Sequence, residues 1–261
     1  MADKSIFDYE AVEAEVEKLM GNLSLIAHDI KHVRRVARGA LFFARLAGGG
    51  RDYRTASYIA GLLHDLDRLP SEAKGHTDSS AEVVREFLKN YECHGLENDI
   101  VQMVISHSET RGPGGLFKRS VFVADKALEQ MGAYVAFRAP IYVAEIEEAT
   151  GKGTDQTIDL VYEIMTKRLS KFVPEVFPAQ TRKLVRYQRS TILSFLDALK
   201  QRHRWAVNIA GHCIEATRSK SGKMDDIIGG YKSVGERDAQ YKTETMRYLT
   251  ERPDAFCMDL I

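Results

Sequence analysis

The 261 residues, 44% hydrophobic and 28% charged, suffice for one large or two small globular domains. Lys plus Arg total 37 and Asp plus Glu total 37, a balance that gives no support to a broad nucleic-acid or membrane-surface role and leaves only local basic patches to consider. The three cysteines, Cys93, Cys213 and Cys257, lack metal-ligand spacing and are poor material for a disulfide framework, so they read as reduced thiols of a cytoplasmic protein. Residues 1–10 are polar and acidic, unlike a secretory signal, and no run approaches the ~20 apolar residues of a membrane helix.

In chain order, helix signals dominate. Residues 9–20 predict a charged amphipathic helix. Residues 32–47 carry Val33, Val36, Ala37, Ala40, Leu41 and Ala44 at helical spacing, stopped by Gly48-Gly49-Gly50. Over 53–66, Ile59, Leu62, Leu63 and Leu66 recur at i, i+3, i+4 and i+7, one buried face. Asp78 or Ser79 is suited to cap a helix whose buried face is Val84, Phe87, Leu88 and Tyr91. Ile100, Val101, Val104 and Ile105 define a helix ending near His107, and three glycines and a proline in 110–115 exclude regular structure.

A further helix starts near Lys118, with Val121, Ala124 and Leu128 on its core face. Asp125 falls on that same apolar stripe, the kind of local inconsistency that marks function. Residues 140–144 are the only short strand candidate. Residues 155–251 are helical again, with Ile158, Val161, Tyr162, Met165 and Leu169 as one stripe and Leu184, Thr191, Phe195 and Leu199 as another. The expected fold class is all-α. By composition, the Gly151-Lys152-Gly153 turn is the best candidate boundary between a front and a rear half.

The chemistry gathers on His32, His64, Asp65 and Asp125, spread over three helices, which is how helical bundles assemble metal sites. Burying the adjacent His64-Asp65 pair without partners costs several kcal/mol, and a divalent ion would serve both side chains at once. Imidazole with carboxylate suits Mn, Fe, Ni, Co, Mg or Zn, and without thiolates a structural zinc site is disfavoured. Such an ion would acidify bound water and offset charge on a phosphoryl oxygen, and Asp65 is placed to orient that water as well as to ligate.

Three segments in order resemble the HD superfamily of metal-dependent phosphohydrolases. His32-Val33-Arg34-Arg35-Val36-Ala37 is similar to that family's first-helix pattern. Residues 62–68, Leu-Leu-His-Asp-Leu-Asp-Arg, resemble its His-Asp core, and Val123-Ala124-Asp125-Lys126-Ala127 resembles the setting of its last ligand. Asp67 stands where the family commonly carries glycine, and nothing in the residues explains it. The resemblance spans about residues 25–130. It implies an HD-type metal-binding helical domain over 1–131 and a C-terminal helical extension over 132–261 that completes or covers the site.

The resemblance further implies His32, His64, Asp65 and Asp125 as ligands of one divalent ion, with a second ion open. His28, one turn before His32, competes for its place or lines the pocket, and Asp29 is a cap. His76 and His107 stand in the order of added histidines in two-metal members, as phosphate contacts or second-metal ligands, or as a loop residue and a core histidine. Asp65, Arg68, His76, His107 and Lys126 are the candidate catalytic groups, acting on charge or on the leaving group. Arg111, Lys118, Arg119 and Lys126 form a basic cluster, either around the site or on a solvated face. His94, His203 and His212 read as structural.

The implied activity is hydrolysis of a phosphate mono- or diester of a nucleotide or small phosphorylated metabolite by metal-activated water. The partner is then a small phosphorylated substrate, with no membrane, no clear nucleic acid, and homo-oligomerisation left open. Two alternatives stand beside it: an HD-type di-iron oxygenase and a non-catalytic nucleotide-binding sensor.

Overall fold

The computed structural model describes residues 9–20, 26–27, 29–66, 76–109, 115–146, 149–220 and 222–258, with backbone alone at 76–79 and 254. Every regular element among the described residues is helical, so the fold class is all-α. No helix among them is long and apolar enough to cross a membrane. The chain divides into two compact units, one of residues 1–24 and 28–128 and one of residues 25–27 and 129–261.

The first unit contains α1 (Tyr9–Met20), α2 (Ile30–Leu46), α3 (Arg51–Leu63), α4 (His76–Leu88), α5 (Glu97–Ser106) and the short α6 (Ser120–Val123). From α6 the chain runs on as a π-helical segment, Ala124–Glu129, at whose end the units divide. The apolar stripes predicted from periodicity meet here. Val33, Val36, Ala37, Ala40, Phe43 and Ala44 of α2 are fully buried, as are Ile59, Leu62 and Leu63 of α3 and Ile100, Val101 and Val104 of α5.

Two glycines set how closely these helices approach. A Cβ at Gly61 would come within 2.5 Å of Ala37 Cα and 2.9 Å of Ala37 N. One at Gly39 would lie 2.9 Å from Ala124 Cβ. Helix α3 at Gly61 and the start of the π-helical segment at Ala124 therefore approach α2 closely, Gly61 one turn before His64 and Ala124 next to Asp125. Gly61→Ala is expected to cost about 1–3 kcal/mol, because the atoms it strikes are main chain and cannot rotate away. Denaturant unfolding of that variant checks the value, and an unchanged midpoint would contradict the close approach.

Two element boundaries differ from the periodicity. Helix α3 stops at Leu63, although Leu66 continues the apolar spacing. The Gly61 carbonyl, which Asp65 N–H would use in a continued helix, accepts the His64 Nδ1–H instead, at 2.8 Å. Asp78 and Ser79 lie inside α4 as described from His76 and so do not cap it. Tyr91 lies beyond the end of α4, half-buried, its ring stacked on Phe87 with centroids 5.2 Å apart.

The second unit contains α7 (Ala133–Glu145), α8 (Thr154–Leu169), α9 (Arg182–Lys200), α10 (Arg204–Arg218), α11 (Met224–Gly230), α12 (Glu236–Thr250) and α13 (Pro253–Cys257). Helix α7 packs against α8, α10 and α12, and its residues from Ala133 through Ile141 are all buried. The strand candidate at 140–144 is therefore the last part of a central helix. Its β-branched residues and Pro140 suggest a strand locally, but burial on every side outweighs the main-chain bond that the proline removes. Arg138 sits in this core, donating from Nη1 to the Glu129 carbonyl at 3.2 Å and from Nη2 to that of Ala27 at 3.0 Å. The Gly151-Lys152-Gly153 turn links α7 to α8 inside this unit and does not divide the chain.

Candidate metal centre

Helix α2 is started by Asp29, whose Oδ1 accepts the His32 N–H at 2.9 Å. That cap puts His32 in the first turn, on the stripe of Val36 and Ala40, and only 1% exposed. His64 caps the other end of α3, and Asp65 follows it. The free carbonyls of a helix C-terminus carry partial negative charge, which favours a cation there. Asp125 is the second residue of the π-helical segment. A π turn fits an extra residue into the helix, re-aims its side chains and recurs at functional sites.

These elements bring four predicted side chains together. His32, His64 and Asp125 each offer one ligand atom, and the three atoms lie within 4.8 Å of one another. Asp65 Oδ2 lies 3.4 Å from the Nε2 of both His32 and His64. All four residues are buried. The His64 Nδ1–H is committed to the Gly61 carbonyl, so Nε2 carries the lone pair, and it is a buried atom with no hydrogen-bond partner. An oriented imidazole with a bare lone pair beside two carboxylates is the arrangement a divalent ion requires.

Charge follows the same pattern. Burial pushes the His64 pKa down, against the pull of Asp65 and Asp125, and keeps the ring neutral. Burial alone would raise the Asp125 carboxyl, but the Lys126 ammonium and the imidazoles of His64 and His32 hold it well below the usual carboxylate range. Lys126 Nζ donates to Asp125 Oδ2 at 2.5 Å, and both side chains are buried. The neutral His64 imidazole with an ionised Asp125 carboxylate, and no thiolate, matches a borderline or hard divalent ion.

His107 repeats the device of His64. It caps α5, its Nδ1–H donates to the Val104 carbonyl, and its ring centroid lies 5.2 Å from that of His64. Burial, helped by Lys126 and His64, lowers its pKa from 6.5 to about 4. Between those values the unfolded chain binds a proton that the folded chain does not, so stability falls as pH falls. In metal-chelated protein this group is expected to remove about 3 kcal/mol between pH 6.5 and 4. Unfolding at several pH values, beside His107→Gln, reads that slope. An identical slope in the variant would contradict it.

The other predicted residues divide cleanly. Arg68 lies outside the described residues, as do His28, Asp67 and Arg111. His76 opens α4, its side chain outside the description. The basic cluster resolves into separate roles: Lys126 is in the site and Lys118 is exposed. Arg119 donates to the Glu109 carbonyl at 3.0 Å and lies 3.8 Å above the Phe122 ring. Among the histidines read as structural, His212 Nε2 is bonded to the Ile227 carbonyl at 2.8 Å and His203 Nε2 to Gln201 Oε1 at 3.0 Å. Sequence reasoning missed Gly61, which both admits α2 and holds His64. A glycine three residues before a histidine at a helix end was the available signal.

Residues 29–129 match the family model of the HD domain. That domain is typically a metal-dependent hydrolase domain. No curated protein and no solved structure matches the chain.

Proposed function

We propose that the protein is a metal-dependent phosphohydrolase that cleaves a phosphate mono- or diester of a nucleotide or small phosphorylated metabolite. The observation that supports this reading best is the buried, unpartnered His64 Nε2 grouped with His32, Asp65 and Asp125. His32, His64, Asp65 and Asp125 would hold one divalent ion, which supplies Lewis acidity toward a phosphoryl oxygen and acidifies water toward neutral pH.

The chain's own groups do the rest. The Gly61 carbonyl fixes the tautomer and angle of His64. Asp65 Oδ2 lies 3.4 Å from the Nε2 of both imidazoles, where one shared cation would hold all three atoms. Lys126 is the buried cation positioned to offset negative charge gathering on a phosphoryl group. His107, neutral at physiological pH, offers a lone pair rather than a proton. Its part is then to accept a hydrogen bond from substrate or water. Arg68 and His76 are the further candidates for phosphate contact.

Elemental analysis beside a phosphoester and nucleotide panel, run with Mn, Fe, Ni, Co, Mg and Zn, tests the proposal. About one divalent ion per chain and ion-dependent phosphate release are expected. Bound iron with oxygen consumption and no phosphate release would overturn it in favour of an oxygenase. Tight nucleotide binding without turnover would overturn it in favour of a sensor.

A further inference from the structure

A second cleft, of about 540 Å³, lies in the first unit at the far end of α3. Arg51, Arg54, Thr55 and Tyr58 of α3 line it, with Arg45 of α2 and Tyr9 of α1. Arg51 sits at the start of α3 and His64 follows its end, roughly 20 Å along the helix, while Tyr58, the lining residue nearest to His64 in the chain, is six residues or roughly 9 Å from it. Its volume is that of a small-molecule site.

Among the described residues three guanidinium groups line this cleft and no carboxylate does. The neighbouring acids on α1 are already engaged. Glu13 accepts from Arg34 Nε at 2.5 Å and from the Tyr58 hydroxyl at 2.7 Å, and Glu17 accepts from Arg34 Nη2 at 3.0 Å. Asp52, the acid in the first turn of α3, does not line the cleft. Among the described residues Arg45 and Arg54 form no ion pair. The N-terminus of α3 has no side-chain cap, so its N–H groups add positive potential at the same end.

The walls are also held in place. The Tyr9 hydroxyl and Thr55 Oγ1 lie 2.6 Å apart in a hydrogen bond, and the Tyr9 and Tyr58 rings meet edge to face at 5.1 Å. An anion would offset the charges of Arg45 and Arg54, and guanidinium binds phosphate in a bidentate manner.

The geometry points to a binding site for a small anion carrying two or more phosphate groups, separate from the metal centre and independent of the reaction proposed there. Equilibrium dialysis of the full chain against tripolyphosphate, with EDTA present, tests it. Saturable binding of one tripolyphosphate per chain is expected, weakened at least tenfold by Arg45→Glu/Arg54→Glu and unchanged by Asp65→Ala. Arg45 is exposed and Arg54 half-buried, so circular dichroism and thermal midpoint should match the parent. Should the reversed charges disturb folding, Arg45→Gln/Arg54→Gln decides, with a loss of at least threefold expected. Absence of saturable binding, binding that neither pair weakens, or binding lost in Asp65→Ala would each overturn the proposal.

Discussion

Asp65→Ala is expected to abolish metal binding and to lower hydrolysis on the order of a thousandfold, with helix content unchanged. Removal of its carboxylate takes away the group that contacts both imidazoles, and a catalytic ion supplies several kcal/mol of transition-state stabilisation. Helix α3 ends before Asp65, so no helical residue is altered. The fold should not suffer without metal either, since the change removes a carboxylate that lies close enough to Asp125 to repel it. Saturating metal is expected to raise the melting midpoint of the parent, by about 2.7 kcal/mol of added stability at a hundred times the dissociation constant, and to leave that of Asp65→Ala where it was. An Asp65→Ala protein that still gains stability from metal would show that the ion sits elsewhere.

Asp125→Ala should act quite differently. Its partner Lys126 has a buried ammonium 2.5 Å away, and removing one member of a buried pair strands the other charge at a cost of about 3–5 kcal/mol. Asp125→Ala is therefore expected to unfold far more readily than Asp65→Ala, although both lie in one site. Asp125→Ala/Lys126→Met removes both charges together and should recover most of that stability while still binding no metal. Denaturant unfolding of the three variants checks this, and a double variant no more stable than Asp125→Ala would contradict the pairing.

Much of this was visible in the residues because two periodicities coincide. The apolar spacing of Val33, Val36, Ala37 and Ala40, and of Ile59, Leu62 and Leu63, defines helices whose buried faces must touch. Polar side chains interrupting those stripes, His32, His64 and Asp125, must then meet in the same interior. What periodicity could not convey was the backbone between them. Leu66 extends the stripe of α3 past its true end, since spacing does not register that the His64 ring takes the Gly61 carbonyl. The π-helical turn at Ala124–Glu129 has no compositional mark either.

The reading of 140–144 as a strand failed for a related reason. Pro140 with Ile141 and Val143 carries local strand preference, but the segment is surrounded by helices of its own unit and propensity yields to burial. The basic cluster stayed open between the site and a solvated face because charge type alone does not say which way a side chain leaves the helix. Lys126 turns inward to Asp125, while Arg119 lies along Phe122.

Anomalous scattering from crystals grown with manganese tests the central claim most directly. One strong peak is expected within coordination distance of His32 Nε2, His64 Nε2 and a carboxylate oxygen of Asp125, with Asp65 alongside. A folded protein showing no peak there, or one only at another place in the chain, would contradict the account.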